Sequence, residues 1–160
     1  MTQTNLAYLS NYSIYSSMVL FTIAFFSHAL EVSFSLRNES DKTKFDFART
    51  DKSGRVGSAM MILGFVFLLA GVVFRGWSAH RVPWGNMYEF SITGAMAFSG
   101  AYLYALKKYK LRWLGLPVSI AVLLTLGTAI TLLYRPSAPL VPALKSTWLA
   151  IHVSAAARLP

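Results

Sequence analysis

The sequence predicts an all-α integral membrane protein, with four transmembrane helices, the start of a fifth and the N-terminus on the outer side. Three observations carry this. Hydrophobic residues make up 55% of the 160 and charged residues only 13%, about half the charged share of a soluble domain. One soluble core of this size could not bury so much apolar surface. The apolar residues also fall in runs of about 20, the length that crosses the hydrocarbon of a bilayer. Finally, the basic residues collect in alternate loops. Lipid offers the backbone no hydrogen bonds, so the spanning runs must be helices.

The first span is expected over 12–34. The chain before it, Met1-Thr2-Gln3-Thr4-Asn5, has no positive segment, and no small-residue cleavage site follows the run. It reads as a retained helix and not a signal peptide. The second span is expected over 58–77, the third over 88–106 and the fourth over 113–134. A fifth begins near Thr147 and loses its apolar pattern at Arg158-Leu159-Pro160, too soon to cross. The whole reads as one membrane domain, 1–160.

The loops set the orientation. Arg37, Lys42, Lys44, Arg49, Lys52 and Arg55 follow the first span, and Lys107, Lys108, Lys110 and Arg112 follow the third. Only Arg75 and Arg81 follow the second, and Arg135 and Lys145 the fourth. Cytoplasmic loops carry the excess of Lys and Arg. The first pair of loops is therefore expected inside, and the 75–87 and 135–146 loops outside. This topology accounts for the net charge of +9, and no nucleic-acid partner is expected. The 37–57 loop also holds Glu39, Asp41, Asp46 and Asp51 and reads as a solvated linker, with a lipid-headgroup or partner contact as the other reading.

Cysteine is absent, which excludes disulfides, thiolate metal sites and thiol nucleophiles. No phosphate loop, nucleophile elbow, HExxH or paired-carboxylate spacing is present. Small residues mark the helices: Gly64 and Gly71 lie two turns apart, and Gly94, Ala97 and Gly100 punctuate the third span. They suit close helix packing.

Three groups of residues could carry chemistry. In the outer loop, Pro83 biases Val82 toward an extended backbone and Gly85-Asn86 permits a tight turn. Trp77, Trp84 and Tyr88 suit the membrane–water interface. This loop is either an interfacial turn or a platform for a flat aromatic ligand, with Arg81 and Glu89 able to pair. Second, His152 and Trp148 share a helical face near the outer end of the fifth run. Imidazole ligates haem iron, and it also serves as an interfacial polar group. Third, His28 and Glu31 share a face of the first span, His28 about 8 Å from its midpoint by the helical rise. Ionisable residues within a span are costly and are functional candidates. They read either as hydrogen-bonding glue between helices or as a proton-relay or ligand pair. Glu31 is expected nearer the cytoplasmic end, within reach of water. His80 is expected in solvent.

The run Arg81-Val82-Pro83-Trp84-Gly85-Asn86-Met87-Tyr88-Glu89-Phe90, and the run from Leu144 to Val153 with Trp148-Leu149 and Ile151-His152-Val153, resemble the CcsB/CcsA/ResC-type cytochrome c biogenesis proteins. The resemblance covers the N-terminal part of that family and implies a fragment of a longer domain. It implies a role as an assembly factor of a bacterial plasma membrane, more than as a stand-alone enzyme. With a ResB-type partner, such proteins carry b-type haem to the outer face for covalent attachment to the CxxCH motif of apocytochrome c. Two outward histidines flank a tryptophan-rich segment and ligate the iron. His152 matches the first of them, with Trp148 and Trp84 as further haem-contact candidates. The tryptophan-rich segment and the second histidine are not present in these 160 residues. A different class of reading is a small proton-coupled transporter subunit working through Glu31 or His28. A b-type electron-transfer subunit would need histidines paired across two spans, and only His28 lies deep enough.

Overall fold

The computed structural model describes residues 3–38, 44–79 and 82–134. They form four α-helices: α1 Gln3–Asn38, α2 Lys44–Ala79, α3 Met87–Tyr109 and α4 Gly115–Leu132, with a 3₁₀ turn at Arg112–Leu114 leading into α4. No strand occurs among the described residues. α1 and α2 pack along their whole lengths. α3 packs on α4, α4 returns to α1, and α2 meets α3, which closes a four-helix bundle.

Three of the helices are long and apolar enough to cross a membrane, over Asn5–Leu36, Asp51–Ala79 and Arg112–Leu132. This is a membrane protein. The third expected span, now α3, is not among the three. Glu89, Ser91, Thr93 and Ser99 dilute its apolar run, and Lys107 and Lys108 close it. The start of a fifth helix at 147 lies outside the described residues.

The boundaries also move. α1 and α2 each have 36 residues, so each is about 54 Å long against a hydrocarbon layer of about 30 Å. The stretch read as a solvated linker over 37–57 is helical from Lys44 onward. No proline interrupts it, Asp51 and Arg55 pair at i,i+4 (3.1 Å), and its glycines dock on α1. Arg75, expected in the outer loop, lies within α2 and is 1% exposed.

The α1–α2 seam explains the close packing. On α1 the buried residues are Ser10, Ile14, Ser17, Phe21, Ala24 and His28, alternating steps of four and three. This is the heptad pattern of a left-handed helix pair. The facing row on α2 runs Gly54, Gly57, Met61, Gly64, Leu68, Gly71, Arg75 and Ser78 in the same rhythm. Large side chains of α1 sit on the glycines of α2: Ile14 on Gly71, Phe21 on Gly64, His28 on Gly57 and Glu31 on Gly54. Gly64 and Gly71 therefore pack as expected, with Gly54 and Gly57 extending the row. In α3, Gly100 receives Phe65 of α2, whereas Gly94 faces open space.

Several hydroxyl groups within the helices satisfy themselves locally. The hydroxyls of Ser17, Thr22, Ser27, Ser99, Ser119 and Thr125 donate to carbonyls three or four residues back, a common arrangement where water is absent. Ser10 Oγ instead crosses the seam to Gly71 O at 2.7 Å. Val19, Phe26, Val66, Val73, Leu124 and Leu132 point outward, toward the acyl chains.

Candidate functional site

Two polar clusters occupy opposite ends of the bundle. The first is built on the turn between α2 and α3. Trp84 N donates to Val82 O at 2.8 Å around Pro83, a tight three-residue turn for which proline's fixed φ is suited. Asn86 then caps α3, its side chain accepting from Glu89 N at 2.8 Å. Asn86-x-x-Glu89 is a capping-box pattern. Here the glutamate reaches one residue further back, with Glu89 Oε2 accepting from Gly85 N at 3.0 Å.

The other carboxylate oxygen of Glu89 meets Arg75 Nε at 3.4 Å, and the two side chains are 0% and 1% exposed. The Arg75 guanidinium stands 5.1 Å from the centre of the Tyr88 ring. Tyr88 in turn meets Tyr134 edge to face at 5.3 Å. Asn11 Nδ2 donates to the Tyr134 hydroxyl at 3.0 Å. One network thus ties α1, α2, α3 and the end of α4 together beneath the turn. Above it, Trp84 is half-buried and Trp77 is 62% exposed.

This adds a partner for Glu89 and corrects one expectation, that for Tyr88. Glu89 is paired with Arg75, one helix away, while Arg81 lies outside the described residues. Tyr88 is 1% exposed, a buried strut and not an interfacial ring. The Asn86–Glu89 cap was legible as a pattern. The Arg75–Glu89 pair was not, because their fourteen-residue separation spans a helix end and a turn.

The second cluster lies at the opposite end. His28 Nδ1 is 3.0 Å from Glu31 Oε2. Arg112 Nε meets Glu31 Oε1 at 2.6 Å, and its Nη1 meets Asp51 Oδ1 at 3.0 Å. Arg112 therefore clasps α1 to α2 from the α3–α4 connection. Glu31 is 13% exposed and is held by a cation, where it was expected to reach water. The His28 ring is sealed between Gly57 and Gly115, since a Cβ on either would crowd it. Its Nε2 is buried with no hydrogen-bond partner among the described residues. Beside this cluster is a cavity of about 220 Å³, lined by His28, Glu31, Val32, Ser35, Arg112, Trp113 and Leu116.

His80, Trp148 and His152 lie outside the described residues. The structure thus brings His28 together with Glu31, and it sets Trp84 on the Glu89 network at the far end. No cluster of three metal-ligating side chains occurs among the described residues.

No family model matches the chain, and no solved structure matches it. Curated relatives do. The chain is 32% identical over 102 residues to the "Cytochrome c biogenesis protein CcsA" of Marchantia polymorpha, which covers 62% of this chain and 32% of the relative. It is 29% identical over 142 residues to the protein of that name from Prochlorococcus marinus (strain NATL1A), covering 86% and 41%. It is 34% identical over 104 residues to that of Picosynechococcus sp. (strain ATCC 27264 / PCC 7002 / PR-6), covering 63% and 30%. The matched stretch thus spans about a third to two fifths of the length of these relatives.

Proposed function

Because this chain is a relative of the CcsA-type cytochrome c biogenesis proteins, we propose that it serves cytochrome c biogenesis by holding haem at the outer face of a bacterial plasma membrane. The haem is cargo, destined for covalent attachment to an apocytochrome c, and a ResB-type membrane protein is the partner. The observation that carries this reading is the relationship itself. The geometry supports it at one place. The turn that bears Trp84 is braced from beneath by Glu89, Asn86 and Arg75, which suits a flat platform whose position must not drift.

In this reading the 82–86 turn faces outward, and the Arg112 end faces the cytoplasm. α3 completes four crossings, and the fifth begins at 147. His152 supplies an axial imidazole, as haem iron readily accepts. Trp148 and Trp84 contact the macrocycle. The protein's own contribution is to bind and orient haem, while the thiols belong to the apocytochrome. The transporter alternative requires Glu31 to load and release a proton freely. Glu31 is held by Arg112 and His28, and no observation favours that alternative.

The test is reconstitution of maturation. The chain is co-expressed with a ResB-type partner, a chain supplying the rest of a CcsA-type domain and a CxxCH reporter, in cells lacking their own maturation system. Covalent haem on the reporter that depends on this chain, and falls with His152→Ala, supports the reading. Equal covalent haem without this chain refutes it.

A further inference from the structure

Among the described side chains at the Arg112 end of the bundle, cations outnumber acids. Among the described side chains there, Glu31 is taken by Arg112, and Asp51 by Arg112 and Arg55. Lys107, Lys108 and Lys110 remain, all exposed, in the four residues that end α3 and begin the connection to α4. Lys110 holds the left-handed backbone conformation (φ 55°) that closes α3, with its N–H on Leu106 O at 3.0 Å. This reverses the chain and keeps the three lysines within one short segment.

Aromatic rings lie beside Lys108. Lys108 Nζ lies 5.6 Å from the centre of the Tyr104 ring and 5.2 Å from that of Tyr109. Trp113, one residue past Arg112, is 68% exposed. Exposed Trp and Tyr beside Lys mark the depth of the lipid headgroups. Trp113 also forms one wall of the 220 Å³ cavity, where Val32 and Leu116 present an apolar lining next to Ser35 and Arg112. Arg112, an indole and an apolar recess therefore meet at this end, two to six residues along the chain from the three lysines.

We propose that this segment binds an anionic phospholipid of the adjoining leaflet. Its phosphate is held by Lys107, Lys108 and Lys110, and its glycerol and upper chain rest on Trp113 at the mouth of the recess. A zwitterionic lipid brings its own cation to the lysines and gains less than a singly anionic one. The inference rests on the exposed cations and aromatics and is independent of haem.

The experiment uses the full chain reconstituted in phosphatidylcholine vesicles with spin-labelled phosphatidylglycerol or phosphatidylcholine as the probe. The motion-restricted fraction gives the relative association of the two lipids. Each basic residue near a membrane surface contributes about a fivefold preference for anionic lipid. The wild type should therefore favour phosphatidylglycerol about fivefold or more at low salt, and less as salt shortens the screening length. The K107Q/K108Q/K110Q variant should lose most of that preference, and K107R/K108R/K110R should keep it, which separates charge from misfolding. No preference in the wild type overturns the proposal. So does an undiminished preference in the glutamine variant.

Discussion

Removing the Glu89 carboxylate should be the most damaging single change at the turn end of the bundle. Glu89→Ala takes the anion from a guanidinium that is 1% exposed and the acceptor from Gly85 N–H. Breaking a buried ion pair by deleting one partner costs about 3–5 kcal/mol. That is a large part of the roughly 5–15 kcal/mol that holds a domain folded. Arg75→Met leaves the carboxylate buried in turn and should cost a similar amount. For the cycle the glutamate single is made as Glu89→Met, and the double variant Arg75→Met/Glu89→Met removes both charges and keeps the volume. It gives up the Gly85 hydrogen bond, about 1 kcal/mol, and the Arg75–Tyr88 contact, and should cost less than the two singles together. The assay is equilibrium unfolding in mixed micelles with increasing SDS, run on all four proteins as a double-mutant cycle. A coupling energy of about 2 kcal/mol or more is expected. Singles that simply add, with coupling under about 0.5 kcal/mol, would refute the view that Arg75 and Glu89 act as one buried unit.

Two further changes test the packing and the cap. Gly115→Ala puts a methyl group against the His28 ring and should destabilise the bundle, whereas Gly94→Ala enters open space and should be neutral or gain up to about 1 kcal/mol from better helix propensity; thermal unfolding in detergent ranks them, and equal effects would count against the seal around His28. Asn86→Ala removes the cap on Glu89 N–H and should cost about 1 kcal/mol while Asn86→Ser keeps most of it, so identical melting of the two variants would show that the cap is not what fixes the start of α3.

Much of the architecture was legible in the sequence, because apolar length reports directly on a bilayer. Hydropathy located the cores of α1, α2 and α4, and the 88–106 run located α3. It could not find the ends of α1 and α2. A helix continues past the hydrocarbon wherever packing supports it, and Gly54 and Gly57 provide that support by docking on Glu31 and His28. The heptad seam was hidden for a related reason. Lipid-facing residues such as Val19 and Phe26 are as apolar as the buried Ile14 and Phe21, so the usual contrast between faces vanishes. Small residues carry the pattern instead, and only Gly64 and Gly71 stood out.

The polar sites divided similarly. His28 and Glu31 could be paired from their spacing, which the structure realises at 3.0 Å. The arrival of Arg112 from the α3–α4 connection could not be read, because it depends on how α4 returns to α1. Arg75 looked like a loop cation because a lone arginine after an apolar run is ordinary. Its burial goes with its pairing to Glu89 in the first turn of the next helix. The haem reading came from resemblance at 81–90 and 144–153, of which the second stretch lies outside the described residues.

The proposed role of His152 in binding haem is open to a single measurement, the haem content of the purified chain. The chain is expressed in bacterial membranes, purified in mild detergent, and its reduced visible spectrum is recorded beside those of His152→Ala and His28→Ala. Haem should copurify with the wild type, fall sharply in His152→Ala and persist in His28→Ala, whose ring packs against Gly57 and Gly115. Haem retained equally in His152→Ala, or lost only in His28→Ala, would contradict it.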